Sequence, residues 1–244
     1  MSIDLAVIGG TGLYRFGELQ QAWEERPETP FGELSSPIVR GRWRGRDVAF
    51  LARHGAGHGL YPHQINYRAN VWALAQLAPR QLVAINAVGS LDERFPPGSL
   101  AVPDQLIDYT WGREGTYFGE LPDIPMHVDF TEPYDPALHA SLLAAGGFEA
   151  ASVVLGITQG PRLETAAEVR RMGQDGCHLV GMTGMPEAVL ARELGLRYAS
   201  LCVIANWAAG FGEQPEEEIT MEMVVSTVEQ GTGEALEILA VLSD

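Results

Sequence analysis

The chain has few cysteines and few basic residues, and each scarcity excludes a class of protein. Two cysteines, Cys177 and Cys202, are too few for a disulfide scaffold or a four-cysteine zinc site, so we expect a reducing, cytoplasmic setting. Only 16 basic residues accompany 32 acidic ones, which gives a net charge of −16. Nucleic acids and anionic membranes require clustered basic side chains, so we expect neither as a partner.

Long apolar runs are missing as well. No run reaches the roughly 18 residues that a membrane span needs. The first four residues lack the basic and apolar regions of a signal peptide. No internal repeat or Gly/Ser linker divides the chain. Its 244 residues, 46% of them hydrophobic, are enough for a sizeable core, and we expect one domain over residues 1–244.

Short apolar runs predict buried strands, and helical patterns fall between them. The predicted strands are Leu5–Ile8, Val48–Leu51, Leu82–Ile85, Val153–Ile157, His178–Met182 and Ala199–Ile204. The predicted helices are Asn66–Leu77, Thr165–Met172, Pro186–Leu194 and about Thr220 to Leu242. This alternation predicts an α/β fold with a central mixed, mostly parallel sheet flanked by helices. Pro-rich turns at Pro96-Pro97 and from Pro122 to Pro136 predict excursions from the sheet.

Ligands of such sheets bind at the carboxyl ends of the strands. The segments directly after the predicted strands are rich in glycine, hydroxyl, amide and histidine side chains. They are residues 9–12, 53–58, 86–90, 159–165, 182–186 and 206–212. We therefore expect these segments to surround one pocket.

Two of these segments suit an anion. In Gly9-Gly10-Thr11-Gly12, glycines let backbone N–H groups face an anion and the Thr11 hydroxyl adds a donor, although a plain tight turn is the alternative. The segment is neither a Walker A loop nor a complete dinucleotide fingerprint. Arg53 and His54 offer a forked donor and a second donor for phosphate; a surface salt bridge is the alternative for Arg53. His54 and His58 are four residues apart, but the glycines between them disfavour a helical metal site, and we expect no metal.

The other segments carry polar side chains with ordinary alternatives. Thr183 precedes a predicted helix, so it is either a ligand-binding hydroxyl or a simple helix cap. Glu164 is either a ligand-binding carboxylate or a solvated acid. Asn206 follows the most apolar strand and needs a hydrogen-bond partner there. Met182, judged alone, is more typical of a core.

In this order, the segments resemble the purine nucleoside phosphorylase family, and most closely its methylthioadenosine phosphorylase branch. The resemblance covers nearly the whole chain. Its motifs are Gly9–Gly12, Leu51–Gly55, Pro62–Leu74, Ala87–Leu91, Asp104–Asp108, Gly160–Arg162 and Met182–Glu187.

The resemblance implies a metal-free, cofactor-free, trimeric α/β enzyme that breaks a purine nucleoside with inorganic phosphate as co-substrate. By motif match, the phosphate site comprises Thr11, Arg53, His54, Asn86, Ala87 and Thr183. Met182 takes the position beneath the ribose, and Leu163 takes the place of an aromatic residue that stacks on the base. His127 resembles a residue that reaches the neighbouring subunit's sugar pocket.

The base is predicted to be a 6-oxopurine. Where the adenine-specific branch has two Asp residues, this chain has Asn206 and Ala208. A carboxylate would repel the O6 of a 6-oxopurine, whereas an amide N–H can donate to it. Glu164 can accept the N1–H of a 6-oxopurine but would face the N1 acceptor of adenine unfavourably. Hypoxanthine is therefore the expected base, with guanine as the alternative.

The sugar is predicted to carry a methylthio group. Met221 falls about where the inosine and guanosine enzymes have a His for the 5′-hydroxyl, and its thioether, with Val225 nearby, suits an apolar substituent. Ordinary helix core is the alternative for both. Together, the predicted base and the predicted sugar indicate phosphorolysis of S-methyl-5′-thioinosine to hypoxanthine and 5-methylthioribose 1-phosphate.

Other functions remain open at this point. Methylthioadenosine phosphorylase and a general inosine and guanosine phosphorylase are the alternatives within the family. A nucleosidase, an NAD-dependent oxidoreductase and a non-catalytic nucleoside-binding protein are the alternatives outside it. The acidic stretch Glu213–Glu218 is predicted to supply charge at the start of the last helix, with a gate over the purine as the alternative.

Overall fold

A computed structural model describes residues 3–17, 19–55, 57–212, 215–216 and 218–243. The strands are β1 (Leu5–Gly9), β2 (Gln20–Glu25), β3 (Ile38–Trp43), β4 (Arg46–Ala52), β5 (Gln81–Ser90), β6 (Leu100–Ala101), β7 (Gln105–Asp108), β8 (Val154–Ile157), β9 (Leu179–Gly181) and β10 (Tyr198–Trp207). The helices are α1 (Tyr67–Ala75), α2 (Pro136–Gly146), α3 (Ala166–Gln174), α4 (Gly184–Glu193) and α5 (Met221–Val241), with a short 3₁₀ helix at Pro62–Gln64.

One mixed sheet connects all the strands, as predicted. Its order is β2-β3-β4-β1-β5-β9-β8-β7, and β10 pairs with β5 and β6. β4, β1, β5 and β10 form one parallel group, and β7, β8 and β9 form another. The two groups run in opposite directions because Gly89 and Ser90 of β5 pair antiparallel with β9. This junction lies beside the pocket described below.

Helices cover both faces of the sheet because its central strands are apolar on both sides. Leu5 and Val7 of β1 face the core formed with α2 and α5, whereas Ala6 and Ile8 face the core formed with α1 and α4. Such two-sided burial produces the continuous apolar runs from which these strands were predicted. Within the described residues, no helix is both long and apolar enough to cross a bilayer.

The predicted strand ends were wrong for the two longest strands. We predicted ends at Ile85 and Ile204, but β5 continues to Ser90 and β10 to Trp207. Asn86 and Asn206 are therefore strand residues rather than loop residues. Backbone pairing between β5 and β10 continues past the apolar run, with one irregularity between Ile204 and Asn206.

The sequence analysis did not predict strand β2 or helix α2. The edge strand β2 is polar and mostly exposed, so it lacks an apolar run. Helix α2 begins inside the stretch that we interpreted only as an excursion. Asp135 caps it by accepting from the Leu138 N–H at 2.8 Å, and Pro136 occupies its first turn. In the acidic stretch, Glu213, Gln214 and Glu217 lie outside the described residues.

Candidate active site

A cavity of about 410 Å³ lies where the predicted strand-end segments meet. Eleven of the predicted site residues line it. They are Thr11, Arg53, His54, Ala87, Leu163, Glu164, Met182, Thr183, Asn206, Ala208 and Met221. These residues lie within β5 and β10 or in the segments after β1, β4, β8, β9 and β10, except Met221, which begins α5. A cavity of this size is typical of small-molecule sites.

Arg53 is the most buried charged residue of the site. Its side chain is 0% exposed, and its guanidinium donates from Nε and Nη2 to both carboxylate oxygens of Glu187, at 2.8 and 2.9 Å. Nη1 donates to the Ile85 carbonyl at 3.2 Å. Although burial disfavours the charge of Arg53, the Glu187 carboxylate keeps its pKa above the ordinary value. The alternative of a surface salt bridge is therefore wrong, because the ion pair is buried.

The turn after β1 brings backbone close to this guanidinium. Gly10 lies so near that an added Cβ would stand 2.7 Å from the Ile85 carbonyl oxygen and 2.9 Å from Arg53 Nη1. Gly12 has a φ of +80°, which side-chain-bearing residues rarely adopt. Thr11 lies between these two glycines and lines the cavity. The glycines of this turn are therefore required by close packing and by backbone conformation.

A backbone carbonyl fixes the ring of His54. Its Nδ1 lies 2.9 Å from the Leu60 carbonyl, and because a carbonyl only accepts, Nδ1 carries the proton. Burial and the neighbouring Arg53 lower the pKa of His54 to about 4. At neutral pH its Nε2 is therefore unprotonated and can accept a hydrogen bond. His58 stacks on His54 with ring centroids 4.4 Å apart.

A buried chain of polar side chains orients Thr183. The Thr183 hydroxyl donates to Asn86 Oδ1 at 3.1 Å, and Asn86 Nδ2 donates to the Ser200 hydroxyl at 2.6 Å. Thr183 begins α4 but makes no side-chain capping bond, so the simple-cap alternative does not describe it. Asn86 does not line the cavity, since its position inside β5 places it behind Thr183. In the structure Asn86 supports Thr183, and its predicted place at the phosphate site stays a prediction.

Asn206 and Glu164, the residues predicted to bind the base, both line the cavity and differ in their hydrogen-bonding groups. Asn206 Nδ2 donates to the Trp207 carbonyl at 2.7 Å, which leaves one amide hydrogen and Oδ1 for a ligand. Glu164 accepts from the Thr158 hydroxyl. Its other oxygen has no partner among the hydrogen bonds described. Ala208 is buried beside them. The pair therefore offers a donor, an acceptor and a carboxylate.

An apolar group completes the lining. It consists of Ile219, Met221 and Val224, next to the first turn of α5. Val225 does not line the cavity, because residues three apart share a helix face and Val224 is the one that follows Met221 by three. His127 is exposed and lies outside this chain's cavity, so its predicted role toward a neighbouring subunit stays a prediction.

Several residues of the site had no role in the sequence analysis. Glu187 is 1% exposed, and it also accepts from the Tyr198 hydroxyl at 2.9 Å. A signal for it existed, since an acid directly after Pro186 amid apolar residues needs a cation when buried. Thr158, Ile219 and Val224 carry no such signal. In the part of the chain that the structure describes, no group of three His, Cys, Asp or Glu residues is arranged to hold a metal ion.

Known proteins resemble the chain over nearly its full length. A family model described as "Phosphorylase superfamily" matches residues 4–241. A Xanthomonas campestris protein named "Probable S-methyl-5'-thioinosine phosphorylase" is 50% identical, over 99% of this chain and 98% of that protein. A Thermococcus kodakarensis protein named "Probable 6-oxopurine nucleoside phosphorylase" is 41% identical, over 94% and 88% of the two chains. The solved methylthioadenosine phosphorylase from Schistosoma mansoni, in complex with adenine, superposes with a TM-score of 0.88 at 31% identity, over 99% and 91% of the chains.

Proposed function

This chain belongs to the phosphorylase superfamily, and we propose that it converts S-methyl-5′-thioinosine and phosphate into hypoxanthine and 5-methylthioribose 1-phosphate. The observation that carries the proposal is the joint lining of one cavity by three groups of residues. Arg53, His54 and Thr183 suit an anion, Asn206 and Glu164 suit a 6-oxopurine, and the apolar group of Ile219, Met221 and Val224 suits a methylthio group.

The phosphate end supports phosphorolysis over hydrolysis. Thr11 supplies a hydroxyl donor, Arg53 supplies a positive charge next to it, and neutral His54 accepts the proton of hydrogen phosphate. Because Glu187 compensates the charge of Arg53, the bound phosphate keeps much of its negative charge. A negative group beneath the ribose stabilises the oxocarbenium character that develops as the glycosidic bond breaks, and then captures the anomeric carbon.

The base end supports departure of hypoxanthine. The free Asn206 amide hydrogen can donate to O6, and Oδ1 can accept the proton that N7 carries when the base leaves. Glu164 accepts N1–H, while Thr158 holds the carboxylate in place. Adenine would present an amino donor to the Asn206 N–H and an acceptor nitrogen to Glu164. A mispaired buried polar group of this kind costs a site on the order of 10⁴-fold in discrimination.

Two related activities are the alternatives. The Thermococcus relative's name favours general activity on 6-oxopurine nucleosides. The apolar group beside α5 argues against that activity, because it suits a methylthio group better than a 5′-hydroxyl. The Schistosoma structure favours methylthioadenosine as the substrate. Asn206 and Ala208 argue against that substrate, because the adenine-specific branch has Asp at both positions. A requirement for phosphate separates all three from a nucleosidase.

The assembly and setting are part of the proposal. We infer a homotrimer in which His127 of one copy approaches the sugar site of its neighbour. The exposure of His127, with Met126 beside it 67% exposed, supports a contact surface there. Cys177 and Cys202 are free and buried, which supports a reducing cytoplasm. Light scattering is expected to give three times the 26.4 kDa chain mass.

The test of base recognition replaces the Asn206 amide with a carboxylate. Asn206→Asp is expected to lose on the order of 100-fold or more in kcat/KM on methylthioinosine and to gain relative preference for methylthioadenosine. Asn206→Ala is the matched control, since it is expected to lose activity without reversing the preference. Release of hypoxanthine or adenine is measured with and without phosphate. An Asp variant that keeps the wild-type preference, or turnover without phosphate, contradicts the proposal.

A further inference from the structure

Arg113 makes an unusual set of hydrogen bonds just outside the cavity. Its Nη1 donates to the carbonyls of Met182 and Met185, at 2.8 and 2.6 Å. Its Nη2 donates to the carbonyls of Thr158 and Gln159, at 3.3 and 2.9 Å. Its Nε donates to Gln159 Oε1 at 3.1 Å. One guanidinium therefore joins the backbone that follows β8 to the backbone that follows β9.

These two stretches of backbone carry different parts of the site. We name residues 158–165 the base loop, because it contains Leu163 and Glu164. We name residues 182–186, which run into the start of α4, the sugar loop, because they contain Met182, the residue predicted beneath the ribose. Arg113 does not line the cavity, so it can act on a ligand only through these loops.

Packing alone does not explain why residue 113 is an arginine, because the side chain is charged. The side chain is half-buried, and every hydrogen-bond acceptor described for it is neutral: four backbone carbonyls, the Gln159 amide and the Tyr67 hydroxyl. Burial lowers the pKa of Arg113. The Asp108 carboxylate interacts with this charge only at a distance, without a described hydrogen bond. A partly desolvated cation of this kind is costly, and an apolar residue could fill the same space. Only a forked donor reaches carbonyls on both loops at once.

We propose that Arg113 is a positioning residue that holds the base loop against the sugar loop, so that the purine and the ribose are bound in one geometry. The inference rests on the proposed function, because that function assigns the two ends of the substrate to the two loops. Of the residues predicted to bind phosphate, only Thr183 lies on one of these loops, whereas Met182, Leu163 and Glu164 all do, so Arg113 affects the nucleoside more than the phosphate.

The test compares Arg113→Lys with Arg68→Lys. Arg68 is the matched control because it pairs with Glu114 and Glu120, and so fastens the segment that contains Arg113 without touching either loop. Arg113→Lys keeps the charge but loses the fork. We expect the nucleoside KM to rise roughly 10- to 100-fold in Arg113→Lys, with a smaller change in the phosphate KM, and to stay near wild type in Arg68→Lys.

A second measurement does not depend on activity. Hydrogen exchange of backbone amides in residues 158–165 and 182–186 is expected to accelerate in Arg113→Lys and not in Arg68→Lys. Equal exchange in Arg113→Lys and wild type, or equal effects of the two variants, overturns the inference. If the wild type fails to cleave methylthioinosine, the proposed function fails, while the exchange result still decides whether Arg113 holds the two loops.

Discussion

Glu187→Gln tests the buried ion pair with Arg53. The two side chains are 0% and 1% exposed, and both carboxylate oxygens accept from the guanidinium. The substitution keeps the shape of the side chain but leaves the Arg53 charge without a counterion, and it turns one acceptor into a donor that faces an N–H group. Removing one partner of a buried pair costs about 3–5 kcal/mol. We therefore expect the free energy of unfolding to fall by at least about 3 kcal/mol.

The measurement is urea unfolding at one protein concentration, in which the shift of the midpoint multiplied by the m-value gives the change. Glu237→Gln is the matched control. Its carboxylate lies 2.6 Å from Arg44, but the side chains are 49% and 66% exposed. An exposed pair contributes about 0–1 kcal/mol, so this change is expected to be small. A Glu187→Gln loss below about 1 kcal/mol, or equal losses in both variants, refutes the reasoning.

Three further predictions follow from single residues. Gly10→Ala is expected to displace Arg53 Nη1 and raise the phosphate KM at least about tenfold, whereas Gly233→Ala, with open space around its added Cβ, is expected to leave that KM unchanged. Met221→His is expected to lower kcat/KM on methylthioinosine about tenfold relative to inosine; an unchanged ratio contradicts the apolar-group assignment. The His54 pKa of about 4 lies below its ordinary 6.5, so the unfolded chain binds the proton first. Stability is therefore expected to fall as the pH drops from 6.5 toward 4, by up to about 1.4 kcal/mol per pH unit from this group, and His54→Asn is expected to reduce that slope in urea unfolding. An equal slope contradicts the assigned burial of neutral His54.

The central strands could be predicted because they are buried on both sides. Leu5–Ile8 is apolar throughout, and β1 extends only one residue beyond it. The polar edge strand β2 could not be predicted, since its backbone pairing with β3 leaves no apolar pattern. Helix α2 could have been predicted from Asp135-Pro136 at its start and Gly147 at its end, where φ is +63°.

The site could be predicted in its residues more than in its interactions. The segments after apolar strands supplied most of the cavity lining, because parallel strands bring their carboxyl ends together. The pairing of Arg53 with Glu187 joins residues 134 positions apart, and no local pattern reveals it. The proton position on His54 depends on the Leu60 carbonyl, which only the folded loop brings within 2.9 Å. Asn86 was predicted to follow the strand, but β5 continues beyond the apolar residues that mark it.

Base recognition is the claim on which the proposed function depends most. The most direct measurement is kcat/KM of the purified wild-type chain in phosphate buffer for five nucleosides: inosine, guanosine, adenosine, methylthioinosine and methylthioadenosine. The account predicts that methylthioinosine has the highest value, and that each 6-oxopurine exceeds its 6-amino counterpart. A higher value for methylthioadenosine than for methylthioinosine would contradict it.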